Sequence, residues 1–164
     1  MPFGRSPRAR RVPGGGRALA VAGGVVGARD ALHLPGARDT PVRIPWERVD
    51  TAEWDAEAGT LTVTEVAPDV AAAPRHVVPV ADADLRARDR LLQLVRERVT
   101  ASVVLQRHVP VHGRAGLHVV ARRPPGGGAV TWGFRFDVGV DPADEDVRRA
   151  AASALARARD DVGA

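Results

Sequence analysis

Hydrophobic and polar positions alternate with a period of two from Val42 to Val66. Val42, Ile44 and Trp46 fall on one side, as do Ala52, Trp54 and Ala56 and then Leu61 and Val63; Arg43, Glu47, Thr51, Glu53, Asp55, Thr60, Thr62 and Thr64 fall opposite. Successive side chains of a strand point to opposite faces, so this pattern predicts strands with one oily and one wet face. The turn Asp55-Ala56-Glu57-Ala58-Gly59 supplies a residue that takes positive φ where a short hairpin loop needs it, and the segment reads as a β-meander. Pro45 cannot donate to a ladder and marks a strand end or edge. The parity slips at Glu65 and Val66, which marks a strand end or a bulge.

Upstream, Leu19 and Val21 alternate with small residues, Gly23-Gly24 is a two-residue hairpin signal, and Val25-Val26 begins a run that ends at Leu32-His33-Leu34-Pro35. Two paired strands are expected there. Downstream, an Ala- and Pro-rich loop (67–74) leads to a short strand, His76-Val77-Val78-Pro79-Val80. The period then changes. From Leu85 to about Gln106, Leu91, Leu92, Val95, Val99 and Val103 keep one apolar stripe, widened by Leu94, Ala101 and Leu105, and this spacing predicts a long helix. Asp82 or Asp84 can cap it, and Asp82 with Arg86 and Asp84 with Arg88 stand at i,i+4 in the favourable acid-first order.

The last third repeats the logic on a smaller scale. Segments 117–122 and 130–138 read as a hairpin around Pro124-Pro125-Gly126-Gly127-Gly128. Asp141-Pro142-Ala143-Asp144-Glu145 then opens a final helix with a cap, a proline at the first turn and acids at the positive end of the dipole. Val147, Ala151, Ala154, Leu155, Ala158 and Val162 form its buried stripe, with Arg157, Arg159 and Gly163 as its stop.

At 164 residues the chain is long enough to bury a core without staples. It contains no Cys and no Tyr, which excludes disulfides, thiolate metal sites and Cys nucleophiles. All 24 basic residues are Arg; the pI of about 11.2 reflects that composition bias, as expected of a GC-rich genome, rather than a large net charge. Arg5, Arg8, Arg10, Arg11 and Arg17 lie in the first 17 positions with no acid among them, leaving 19 arginines against 20 acids in a nearly neutral remainder. Residues 1–16, rich in Pro and Gly with charge of one sign, read as a disordered basic tail. Three accounts compete for it: electrostatic contact with nucleic acid or anionic lipid through those five arginines, a signal-peptide n-region ahead of the apolar stretch 18–28, or no role, including a misassigned start. Gly and Ala dilute that stretch, so the expectation is a cytoplasmic protein. No segment reaches the roughly 18–20 apolar residues that span a bilayer.

Val25-Val26-Gly27-Ala28-Arg29-Asp30-Ala31-Leu32-His33-Leu34, then Arg43-Ile44-Pro45-Trp46-Glu47-Arg48-Val49, then Gly59-Thr60-Leu61-Thr62-Val63 resemble the strand order of bacterial PH-like and GRAM-like domains. The chain is also similar to uncharacterised proteins of high-GC bacteria. The resemblance covers about residues 17–107 and implies an α+β fold: a strongly bent antiparallel barrel capped by a long helix, followed in this chain by a C-terminal β-hairpin and helix. The organisation expected is a tail (1–16), a PH-like barrel with its capping helix (17–107) and a ββα unit (108–164). The resemblance implies an interaction module without catalysis. Relatives that bind phosphoinositides use basic residues in the first hairpin loop, and here that loop is Gly23-Gly24, so the lipid site does not carry over.

Catalytic patterns are sparse. The glycine runs 14–16 and 126–128 lack P-loop spacing, and no Lys exists to reach a phosphate. Ser102 and Ser153 fall inside expected helices rather than at a sharp turn. Asp144-Glu145-Asp146 is explained by the helix dipole. His108, His112 and His118 invite a metal, but ligation by His108 and His112 from one helix face would carry the helix through Pro110, so an extended connector with surface histidines is expected. Trp46, Trp54 and Trp132 read as core anchors rather than base-stacking platforms. The expectation is therefore no catalytic residue, metal or cofactor. The partner expected is a protein or peptide held in a groove between barrel, long helix and C-terminal unit; the alternative is nucleic acid or an anionic surface met by the tail. A homo-oligomer through a sheet edge or the last helix is compatible with both.

Overall fold

The computed structural model describes Val12 and residues 14–80 and 84–163. Arg5, Arg8, Arg10, Arg11 and Asp82 lie outside the described residues. The chain is α+β, and its strands lie in three antiparallel sheets. The first sheet runs in chain order through β1 (Ala18–Ala22), β2 (Val25–Ala28), β3 (Ala31–Leu34) and β4 (Val42–Pro45). Gly23 and Gly24 turn the first hairpin at φ 55° and 87°, and a Cβ on Gly23 would meet the Val80 backbone at 2.8 Å. Val12, within the segment read as tail, is buried with Val26 and Ala28.

The second sheet is β5 (Val49–Asp55), β6 (Thr60–Glu65) and β7 (Arg75–Pro79), so the meander expected over Val42–Val66 is split between two sheets at the 3-10 turn Trp46–Arg48, with β4 in the first sheet. Asp55 Oδ1 accepts from the N–H groups of Glu57 and Ala58, and Gly59 at φ 65° completes the turn. The two sheets stay separate, with no closed barrel among the described residues. Helix α1 (Leu85–Ser102) covers them. Leu32, Ile44, Trp46, Val63, Leu91 and Val95 form the heart of this first core. Trp46 is fully buried, and its indole N–H donates to the Ala28 carbonyl at 3.0 Å.

Helix α1 ends four residues earlier than its apolar spacing predicts. Residues 103–106 belong to β8 (Val103–His112), which pairs with β9 (Ala115–Arg122), itself paired with β10 (Thr131–Phe136). Val103 and Leu105 fit a helical stripe and a strand equally well, and long-range pairing with β9 decides between them. Pro110 is tolerated because β8 is an edge strand. The C-terminal unit is thus three strands followed by α2 (Glu145–Val162). Asp144 caps α2 by accepting from Asp146 and Val147 N–H, so Pro142 lies in the preceding turn rather than in the helix. Gly163 closes it at φ 75°. Leu117, Val119, Phe134, Val147, Ala151 and Ala158 form a second core.

A buried ion network joins the two cores. In the β5–β6 register Val49 faces Glu65 and Thr51 faces Thr64, so Asp50 is the extra residue of a bulge. The parity slip at Glu65 marks the end of β6, and the bulge across the ladder in β5 turns Asp50 inward beside buried Val49. Arg122 donates to Asp50 Oδ1 at 3.0 Å, and Arg135 grips both oxygens at 2.7 and 2.6 Å. Burial raises the pKa of Asp50, but the bonds from Arg135 and Arg122 outweigh it and hold the carboxyl below its ordinary value. Beside this network Phe134 N–H donates to the Ala67 carbonyl at 3.0 Å, and Gly133 lies so close to Val66 and Ala67 that a Cβ has no room.

Two outcomes follow. Asp50→Asn leaves Arg122 without its buried counter-charge and lowers unfolding free energy by about 3–5 kcal/mol at neutral pH. Because the folded pKa lies below the unfolded one, this contribution is present above the ordinary carboxylate range and is lost as pH falls through the folded value. Denaturant melts across an acid series check this: the gap between the two proteins narrows on acidification, and a pH-independent gap contradicts it. Gly133→Ala costs about 1–3 kcal/mol by overpacking in the same assay.

Candidate functional sites

An apolar groove of about 310 Å³ lies between β5 and α1. Its β5 side carries Ala52 and Trp54; its α1 side carries Leu92, Val95 and Val99, with Arg96 and Thr100 at the rim. These residues share a face for simple reasons of period. Ala52 and Trp54 are two apart on a strand and pair with Val63 and Leu61 across the ladder, whereas Leu92, Val95 and Val99 recur at three and four along the helix. Strand β5 stands at the edge of its sheet, with β6 on one side. An edge strand presents unpaired N–H and C=O groups that another chain can meet. The Arg88 guanidinium sits 5.2 Å from the Trp54 ring centroid and pairs with Asp89 at 3.3 Å rather than with Asp84.

The ion network forms one end of this groove, because Asp50 lines it. Arg122 also donates to the Val99 carbonyl at 2.9 Å and to Ser102 Oγ at 2.8 Å. The last turn of α1 carries no basic residue of its own; Arg122 supplies from β9 the positive charge and donor that a helix C-terminus favours. Burial pulls the Arg122 pKa down and the Asp50 hydrogen bond opposes it, while the same carboxylate pushes Arg135 up. One arginine thus fixes the helix end, the β5 backbone at the Asp50 carbonyl (3.1 Å) and the third sheet in a single place.

A second cluster lies on the same face of the third sheet. His108 and His118 are direct cross-strand partners, and Arg135 faces His118 from β10. Asp137 follows β10 and accepts from Gly116 N–H at 2.8 Å and from His108 Nε2–H at 2.9 Å through the same oxygen, Oδ2. Its other oxygen stands 3.6 Å from His118 Nδ1, a buried nitrogen with no hydrogen-bond partner among the described residues. The donor atoms of His108, His118 and Asp137 all lie within 4.8 Å of one another. Burial, with His108 beside it, pushes the His118 pKa down, which favours the neutral ring. The hydrogen bonds from His108 and Gly116 hold Asp137 below the ordinary carboxylate value.

The residues singled out from sequence scatter differently. Arg17 is exposed, and the other four tail arginines lie outside the described residues. His112 leaves the cluster and stands 3.5 Å from Asp144. Trp46 is a core anchor, while Trp54 and Trp132 are half-buried under Arg88 and Arg159. Ser102 is buried and Ser153 is exposed on α2. Asp50, Arg122, Arg135 and Asp137 are not legible as a group from sequence, since they come together only through sheet packing. No protein-family model, curated protein or solved structure matches the chain.

Proposed function

We propose that the protein is a noncatalytic interaction module of PH-like architecture that binds an extended segment of a protein partner between β5 and α1. The carrying observation is the juxtaposition of an edge strand with an apolar groove: backbone groups along β5 can accept a further strand, and the floor formed by Trp54, Leu92 and Val99 takes its alternate side chains. The division of seven strands into sheets of four and three, followed at once by a long helix, supports the PH-like reading. Arg96 at the rim favours an acidic residue in the bound segment, with apolar residues at every second position. The rigid end of the groove, fixed by Asp50 and Arg122, lowers the ordering cost of binding.

Selection of a random-peptide library on the full chain, followed by calorimetry, tests this. Extended acidic-apolar peptides are expected to enrich, and Arg96→Glu and Leu92→Glu are each expected to weaken them about thirtyfold, the scale of one hot-spot residue of about 2 kcal/mol. Enrichment of no sequence, or peptides indifferent to both substitutions, contradicts the assignment. Tight, steeply salt-dependent binding of single-stranded RNA or anionic vesicles that disappears when residues 1–16 are removed would replace it with the electrostatic reading.

A further inference from the structure

We infer that His108, His118 and Asp137 form a binding site for a borderline divalent metal ion of the zinc class, separate from the β5–α1 groove. Three observations carry it. The donor set is two imidazoles and one carboxylate, with no thiolate available anywhere in the chain, a set that suits zinc, cobalt or nickel and is too nitrogen-rich for calcium or magnesium. The spacing fits: ligands about 2.1 Å from a tetrahedral ion stand about 3.4 Å apart, and the separations of His108 Nε2 from Asp137 Oδ2, 2.9 Å, and of His118 Nδ1 from Asp137 Oδ1, 3.6 Å, bracket that value, so that the carboxylate can turn either oxygen to the ion. Finally, His118 Nδ1 is buried and unpartnered while facing Asp137 Oδ1 at a distance too long for a hydrogen bond, and a shared cation satisfies both atoms.

The surroundings hold the ligands in place. His108 and His118 are opposite one another in the β8–β9 ladder, which fixes the distance between their backbones, and their ring centroids lie 4.7 Å apart. The Gly116 N–H bonded to Asp137 Oδ2 holds the carboxylate in orientation, the role that outer partners play at metal sites. Arg135 is the neighbouring cation, and its guanidinium is occupied by both oxygens of Asp50. His108 and Asp137 remain partly exposed, which leaves a coordination position open to water or to a donor from a partner.

The test is titration of the full, untagged chain with cobalt(II), read by visible absorption, followed by zinc displacement. Wild type is expected to bind one cobalt with the intense bands of a tetrahedral site, to release it to zinc, and to ignore magnesium. His108→Ala, on the half-exposed edge strand, and Asp137→Asn, which keeps an acceptor for Gly116, are each expected to weaken cobalt binding at least about 100-fold. His112→Ala is expected to bind as wild type does. Absence of cobalt bands in folded wild-type protein, binding unchanged in both His108→Ala and Asp137→Asn, or equal loss in His112→Ala would each overturn the site. Circular dichroism of each variant separates lost ligation from lost fold.

Discussion

The carboxylate of Asp50 and the two guanidiniums that hold it set the arrangement of the molecule. Each half of the chain has its own apolar core, one beneath α1 and one beneath α2, and apolar burial alone would let the two pack in several ways. A buried charge is less tolerant. Removed from water it is costly unless its partners meet it with good geometry, so every packing that separates Asp50 from Arg122 and Arg135 carries a penalty that the observed packing avoids. The close contact of Gly133 with Val66 and Ala67 works in the same direction through shape rather than charge.

This constraint propagates to both candidate sites. Through the Val99 carbonyl and Ser102, Arg122 fixes the C-terminal end of α1 against β5, and the groove between them inherits that geometry. Through the β9–β10 register, Arg135 stands in one cross-strand row with His118 and His108, so the ion network and the histidine cluster share a sheet face. The proposed peptide groove and the proposed metal-ligand set therefore both depend on one salt-bridged joint. Loss of the joint would disturb both, whereas substitution of His108 or Arg96 disturbs only one.

Much of the first half was legible from sequence because its signals are local. Alternation around Trp54, Leu61 and Val63, the Gly23-Gly24 and Gly59 turns and the stripe at Leu91, Val95 and Val99 each depend on residues a few positions apart, and the β5–β6 hairpin, the first turn and α1 appear where those signals place them. Trp46, by contrast, opens a 3-10 turn between β4 and β5, and the run 25–34, expected as one strand, divides at Arg29-Asp30 into β2 and β3. The exceptions are long-range. Residues 103–106 carry a pattern compatible with helix and strand, and only β9, more than ten residues away, resolves it. His108 was weighed against His112 along the chain, whereas its partners are His118 across the ladder and Asp137 beyond the next strand. Asp50 carries no local signal of its burial, because a single-residue bulge, not composition, turns it inward.

Amide hydrogen exchange compared between the wild type and Asp50→Asn tests the central claim most directly. If the ion network is the joint, protection falls together in β5 and β6, in the last turn of α1 and in β9 and β10, while β1–β3 and the middle of α2 keep theirs. Loss of protection confined to β5 and β6, with β9, β10 and the end of α1 unchanged, would show that the two halves are held together by something other than Asp50, Arg122 and Arg135.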